Sequence, residues 1–475
     1  MLRKLWLWIS FSLVTLLIFI ANFSFSPLAT KAAASNGYWP TYLAILQHYG
    51  YNGAESAINP NTVTNLKQHW SFQTGGGISA QPVTANGYIY FGSWDGNEYA
   101  TDLQGNKIWA TNLGVTSNPK CGSAGYVPSV GVASTASVVN ITIGRATSVV
   151  FVGGGDANFY ALNAANGAIL WRTSLGKSPN TFIWSSPSYY NGSVYIGVAS
   201  FGDCPLVPGK VVAFNAVTGQ ITNSFKAVPN NCIGAGVWGS PTIDPNTGSI
   251  YAVTGNAKPC SRGKALGSAI IKLRLSDLSL QSYWQIPASQ QINDGDFGST
   301  PTLFNATMGG VKQEMVGVIN KNGIFYAFIR YAIINGPAWT VKLANGGACP
   351  QCGNGNVAAA AWDGNALYVA TGSTTINGQN CQGSLQALML ATGQPIWQDC
   401  INIDQGHVLA AVTVVPGVVV ITAGADVMLF STYDGHSLTT LPDTSSGSLY
   451  FGSASISQGM LYVGNMDGIL HAYGL

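Results

Sequence analysis

Charged side chains are scarce in this sequence. Asp, Glu, Lys and Arg make up 8% of the 475 residues, against about 25% in an ordinary soluble domain. The 20 basic residues nearly balance the 18 acidic ones, leaving a net charge of +2, and they form no basic block. The counterion release on which DNA and RNA binders depend has no visible source, which argues against nucleic acid as a partner. Helical periodicity is almost absent as well. What the chain has instead is apolar residues (47%) and 58 glycines. That composition excludes a disordered chain and suits one large β domain with many turns.

Residues 1–34 read as targeting rather than fold. Arg3 and Lys4 precede a charge-free stretch from Leu5 to Thr30, and the small residues Ala32, Ala33 and Ala34 follow it. The pattern implies export, through a cleaved signal peptide or an uncleaved single-helix anchor, to a periplasmic, extracellular or outer-face location. That possible anchor is the one membrane contact the sequence suggests. No Cys stands just after the segment, so a lipoprotein is not indicated. Residues 35–64 read as an N-terminal extension. Eight cysteines in an exported chain favour disulfides. Cys349 and Cys352 form a CxxC, but no second CxxC or nearby His supports zinc.

Internal repetition decides the fold class. The segment from Ala161 through Gly167 to Trp171 has a near twin from Ala387 through Gly393 to Trp397, both reading A-x5-G-x3-W. A shorter copy runs from Ala100 through Gly105 to Trp109, and Ala213 to Gly219 is a copy without its Trp. A β-branched or aromatic run precedes each copy. Before that comes another run, often opening with Ser-Pro or a relative, at Ser186-Pro187, Ser240-Pro241 and Thr300-Pro301. Four short strands every 40–60 residues or so predict a β-propeller over residues 65–475. Quartets end near Trp109, Trp171, Phe225, Trp284, Trp339, Trp397 and Leu441, and the last set, reaching Gly474, lacks a fourth strand. The Trp70 segment after Leu66 has the pattern of that missing strand. The expectation is an all-β, eight-bladed propeller closed by an N-terminal strand, with seven blades as the alternative because the set near Leu441 is weakly patterned.

If the strands of a blade are named a to d from the axis outward, the b–c turns and the d–a connections share one face. All eight cysteines map there, with Cys121, Cys232, Cys349, Cys352 and Cys400 between blades and Cys204, Cys260 and Cys381 within them. The long insertions map there too, so function belongs on that face. The topology predicts bridges from Cys204 to Cys232 and from Cys381 to Cys400, with Cys349 closing locally on Cys352.

The repeat resembles that of the quinoprotein alcohol dehydrogenases, in which Trp pins blade to blade, and the pattern looks closest to the polyvinyl alcohol dehydrogenase branch. The resemblance implies pyrroloquinoline quinone (PQQ) and Ca²⁺ as cofactors, a small-molecule or polymeric alcohol as substrate and an external electron acceptor as partner. Trp238, in the stretch before Ser240-Pro241, matches the Trp beneath the quinone, and Asn256 of the following Thr-Gly-Asn matches a calcium ligand. A π surface suits a planar cofactor and an amide oxygen a hard cation. Asp296, followed by Phe297, matches the catalytic base and a further metal ligand. Two carboxylates, Asp294 and Asp296, in so acid-poor a chain are not mere surface charge. Lys321 matches the lysine that reaches the quinone oxygens. Asp203 stands where the family usually has a Glu calcium ligand, shorter by one methylene. Each residue also has a plain reading: Trp238 packs an inner strand, Asn256 caps a turn, Asp296 forms one, and Lys321 belongs to a hairpin. The sequence departs from the family in having no adjacent cysteines, and Gly353 after Cys352 leaves no C-x-x-C-H, so no covalent haem is expected. The rival function is a non-catalytic propeller acting as an envelope scaffold or a ligand-binding module.

Overall fold

The computed structural model describes residues 37–118, 129–403, 405–444 and 446–475. The targeting segment and Cys121 therefore lie outside the described residues. Eight antiparallel blades of four strands follow one another along the chain, the third with an added short strand, Thr181–Phe182. Blade one runs from Val83–Ala85 to Lys107–Asn112, blade two from Ser137–Val139 to Ile169–Ser174, and blade three from Ser188–Tyr190 to Ile221–Lys226. Blade four spans Thr242–Asp244 to Leu280–Gln285, blade five Thr302–Met308 to Trp339–Lys342, and blade six Ala361–Trp362 to Pro395–Ile401. Blade seven is as regular as the others, from Thr413–Val415 to Ser437–Pro442. The seven-blade alternative is therefore wrong. In blade eight, strands Ser455–Ser457, Met460–Gly464 and Ile469–Gly474 are completed by Lys67–Gln73, with Trp70 opposite Ala472.

The repeat has a physical reason. In each copy the Trp of one blade reaches over the turn glycine of the next. The Trp109 indole donates to the Ala164 carbonyl at 2.9 Å, Trp171 to Ala216 at 3.0 Å and Trp397 to Thr432 at 3.1 Å. Gly167 shows why glycine is required: its φ is +71°, and a Cβ there would lie 2.7 Å from the Trp109 ring. Trp70 closes the ring by the same contact, donating to the Leu103 carbonyl of blade one at 3.0 Å.

The Ser-Pro motifs form a second set of links nearer the axis. The amide of Gln81 donates to the Thr135 hydroxyl, Thr135 to Ser186, Ser186 to Ser240, and Ser240 to Thr300, all within 3.1 Å. Each hydroxyl satisfies a buried amide of the preceding blade, where an orphaned donor would cost about 1–3 kcal/mol.

Residues 37–52 do not lie on the surface. They thread the central channel and bond to the second residue of one inner strand after another. Thr84 donates to the Trp39 carbonyl, Val138 to Pro40, Ile243 to Leu46, Leu303 to Gln47, Trp362 to Tyr49 and Val414 to Gly50, at 2.7 to 3.1 Å. The Asn52 amide completes the circuit at the Ile456 carbonyl, 2.9 Å away. Trp39, Leu43, Ala44 and His48 are buried. The tight path holds Leu43, Ala44 and His48 at φ between 53° and 73°, a region that non-glycine residues rarely adopt. Ile58, Val63 and Leu66 then pack against blades seven and eight and lead the chain outward to the closing strand.

Disulfides join Cys232 to Cys260, Cys349 to Cys352 and Cys381 to Cys400, with Cα separations of 5.8, 5.2 and 5.3 Å. Two of the expected pairs are present, and Cys204–Cys232 is not. The connection after blade three pairs with the b–c loop of blade four instead, through Ala235 donating to the Asn256 carbonyl and a bridge from Gly234 to Ala257. That pairing carries Cys232 to Cys260. Cys204 is itself disulfide-bonded. Cys400 lies within the outer strand of blade six, not in the connection after it.

Candidate active site

The face predicted to carry function holds a cavity of about 260 Å³ beside blades three to five. Trp238 and Asp296 reach it from d–a connections, and Asp203 and Asn256 from b–c loops. Four of the five expected site residues therefore line one space.

Trp238 packs tightly beneath a neighbouring connection. A Cβ at Gly298 would lie 2.0 Å from its ring, so only glycine lets the two segments meet. The ammonium of Lys321 stands 5.6 Å from the centre of the same ring, within reach of a cation–π attraction. Gly236 and Gly255 bring bare backbone to the cavity wall, which leaves room for a flat molecule.

Asp296 is buried, and its position is over-determined. One carboxylate oxygen accepts the backbone N–H of Asn256 at 2.5 Å, the other faces the Lys321 ammonium at 3.2 Å, and its own carbonyl accepts the Lys321 N–H at 3.0 Å. Burial pushes its carboxyl up to about 6; Lys321 pulls against this and Asp294 adds to it. The Lys321 ammonium is shifted the other way. Burial disfavours its charge, yet Asp296 and Asp294 outweigh that and hold it above the ordinary lysine range. A buried carboxylate held charged beside an ammonium and open to a cavity can take a proton from a bound hydroxyl.

Lys321 alone of the five does not line the cavity; it is buried, bridging Asp296 and Asp294, the latter at 2.8 Å. Asp203 is exposed. It hydrogen-bonds the Asn256 side chain; although the residue as a whole is exposed, the protein around its carboxyl partly desolvates it, and this, reinforced by the Asp294 charge, raises it above the usual range. Among the described residues no three His, Cys, Asp or Glu side chains cluster as a metal site, so a cation here would rest on two carboxylates and the Asn256 amide. These are all hard oxygen donors, as calcium requires.

Asp294 and Trp184 were not singled out as site residues. Asp294 sits at φ 52° and keeps Lys321 in place, while its second oxygen is buried without a partner. Trp184 lines the cavity beside Phe201 and Leu206, stacked on Phe201 at 6.1 Å between ring centres. A signal for it did exist: Trp184 stands two residues before Ser186-Pro187, as Trp238 stands before Ser240-Pro241.

A family model described as the glucose/ethanol/alcohol dehydrogenase β-propeller domain matches residues 39–332. The chain belongs to this family. Among the relatives of this quinoprotein-family chain is the quinoprotein alcohol dehydrogenase PedH of Pseudomonas putida, 25% identical over 58% of this chain and 50% of the relative. The quinohemoprotein alcohol dehydrogenase of Comamonas testosteroni is 27% identical over 63% and 46%. The polyvinylalcohol dehydrogenase of a Pseudomonas species is 24% identical over 44% and 35%. The chain thus spans about half or less of the length of the curated relatives it matches. In fold it is similar to the crystal structure of the Comamonas enzyme, with a TM-score of 0.71 at 18% identity over 93% of this chain and 81% of that one. BamB from Moraxella catarrhalis shares the fold more loosely, with a TM-score of 0.56 at 12% identity over 86% of this chain and 98% of that one.

Proposed function

We propose that the protein is a quinoprotein dehydrogenase that oxidises an alcohol to the corresponding carbonyl compound with PQQ and Ca²⁺, outside the cytoplasm. The observation that carries the reading is the meeting of Trp238, Asn256, Asp203 and Asp296 on one cavity. Trp238 would hold the quinone ring, and Asn256, Asp203 and Asp296 would supply oxygens to the cation. A quinone held there would supply a hydride acceptor, and a cation on these oxygens would supply Lewis-acid polarisation. Asp296 receives the alcohol's hydroxyl proton. Lys321 and the Asn256 N–H fix its carboxylate, so the base is aimed before substrate arrives. Turnover would require an external electron acceptor. Disulfides on this face support an oxidising compartment.

Asp296→Asn keeps size and hydrogen bonding while removing the base. Dye-linked alcohol oxidation by the reconstituted variant is expected to fall at least about 100-fold, with quinone uptake, read by quenching of Trp fluorescence, little changed. A wild-type protein that takes up no quinone in the presence of Ca²⁺ would leave the scaffold or ligand-binding function in its place.

A further inference from the structure

A second cavity, of about 330 Å³, is lined by residues of blade three and of the connection leading into it from blade two. Three lysines line it: Lys177 from the connection, Lys210 from strand c and Lys226 from strand d. Asn180 and Thr181 join them, and no acidic residue belongs to the lining. Among the described residues none of the three lysines forms a salt bridge.

The arrangement is costly without a ligand. Lys210 and Lys226 are direct cross-strand partners, so their side chains share one face of the sheet, where like charges repel. Lys210 is half-buried. Burial, and then Lys226, hold its ammonium below the ordinary lysine range. Lys226 donates to the neutral side-chain oxygen of Asn230 at 3.2 Å, which leaves the repulsion uncompensated. A chain so poor in charge has gathered three positive groups around one hollow.

We propose that this cavity binds a small tetrahedral oxyanion of the phosphate class. Three lysines from three separate segments around one cavity suit a tetrahedral anion, whereas a flat carboxylate is matched by the fork of an arginine, and the lining has none. The site also adjoins the first cavity. Val198 lines one and Ala199 the other, and on the return of the loop Leu206 lines the first while Val207 and Pro208 line the second. The loop between them carries Asp203. Lys210 follows the loop directly, and the Asn180 carbonyl accepts the N–H of Phe201 at its start, at 3.0 Å, so an anion held between Lys210 and Asn180 braces both ends of that loop.

Thermal melting of the quinone-free protein tests the site apart from the proposed activity, so either can fail alone. Sodium phosphate is compared with NaCl at matched ionic strength, for the wild type and for Lys210→Met. Phosphate is expected to raise the wild-type melting temperature by a saturable amount that NaCl does not reproduce, and sulfate to substitute for it. Lys210→Met is expected to bind phosphate at least about tenfold more weakly by calorimetry. In NaCl it should melt no lower than the wild type, because the repulsion is gone. Lys226→Met should repeat the pattern. Equal shifts in phosphate and NaCl would overturn the proposal, as would a phosphate effect that survives in Lys210→Met or a lower melting temperature of that variant in NaCl. Planar oxalate acting as strongly as phosphate would overturn the tetrahedral assignment.

Discussion

Two pieces of the N-terminal region tie the ring together, one at its outer edge and one at its axis, and they do so by different means. Lys67–Gln73 completes blade eight as a full strand, with Trp70 over Gly105 of blade one. Residues 37–52 reach blades one, two and four to eight through one or two hydrogen bonds each, mostly through main-chain carbonyls. The outer piece removes an exposed edge, and the inner piece satisfies amides that the innermost strands leave facing the channel. Closure of the propeller is thus two separable tasks.

Truncation sharpens the contrast most. A chain starting after Gln73 loses both pieces and exposes the edge of Ile469–Gly474, and it is expected to aggregate. One starting at Asn59 keeps the outer strand and is expected to stay soluble and monomeric by size-exclusion chromatography, with a lower melting temperature. If the two behaved alike, the division of tasks would be wrong.

A smaller effect is expected at Asn52. Its amide donates to both the Gly37 and Ile456 carbonyls, at 3.0 and 2.9 Å. Asn52→Ala leaves these buried acceptors unpaired and is expected to cost about 2 kcal/mol in chemical denaturation.

The last effect is absent at neutral pH and appears only in acid. His48 is buried against Thr242, 2.8 Å from its hydroxyl, and burial pulls its imidazole down to about 3. The unfolded chain takes up a proton below its ordinary pKa of about 6.5, and the folded protein does not until near 3. Stability therefore falls as pH drops through that window, by up to about 1.4 kcal/mol per pH unit from this residue. His48→Asn, which tolerates the left-handed backbone at this position, is expected to flatten the acid limb of the stability profile. An unchanged slope would mean that the imidazole is not held neutral.

The same contrast explains what could be read from the residues alone. The outer strand was legible because its signal is a side chain: Trp70 occupies a place that Trp109, Trp171 and Trp397 occupy elsewhere. The inner segment works through the carbonyls of Pro40, Leu46, Gln47, Tyr49 and Gly50, which any residue could offer. Its turns at Leu43, Ala44 and His48 are not marked by glycine, so residues 35–64 read as a featureless extension. In the site, Asp296, Asn256 and Trp238 sit in recognisable surroundings and converge as expected. The clamp of Asp294 on Lys321 was not legible, because it depends on how two loops approach in space. The Cys232–Cys260 bridge was hidden for the same reason, since the connection after blade three pairs forward rather than back.

The threaded segment also constrains the order of assembly. Asn52 and Ile456 are separated by 404 positions in the chain, as are Glu55 and Gly459, whose amide donates to the Glu55 carboxylate at 2.9 Å. Loop closure over such spans is entropically slow, and contacts of this kind form late. Blades pinned by neighbouring Trp and Gly can condense locally, one on the next. The early-synthesised strap must wait for the last-synthesised blade before its final bonds exist. Until then the innermost strands surround a wet, unlined bore, so the axis of this molecule is the last part to become native, although the residues that fill it are among the first to be made.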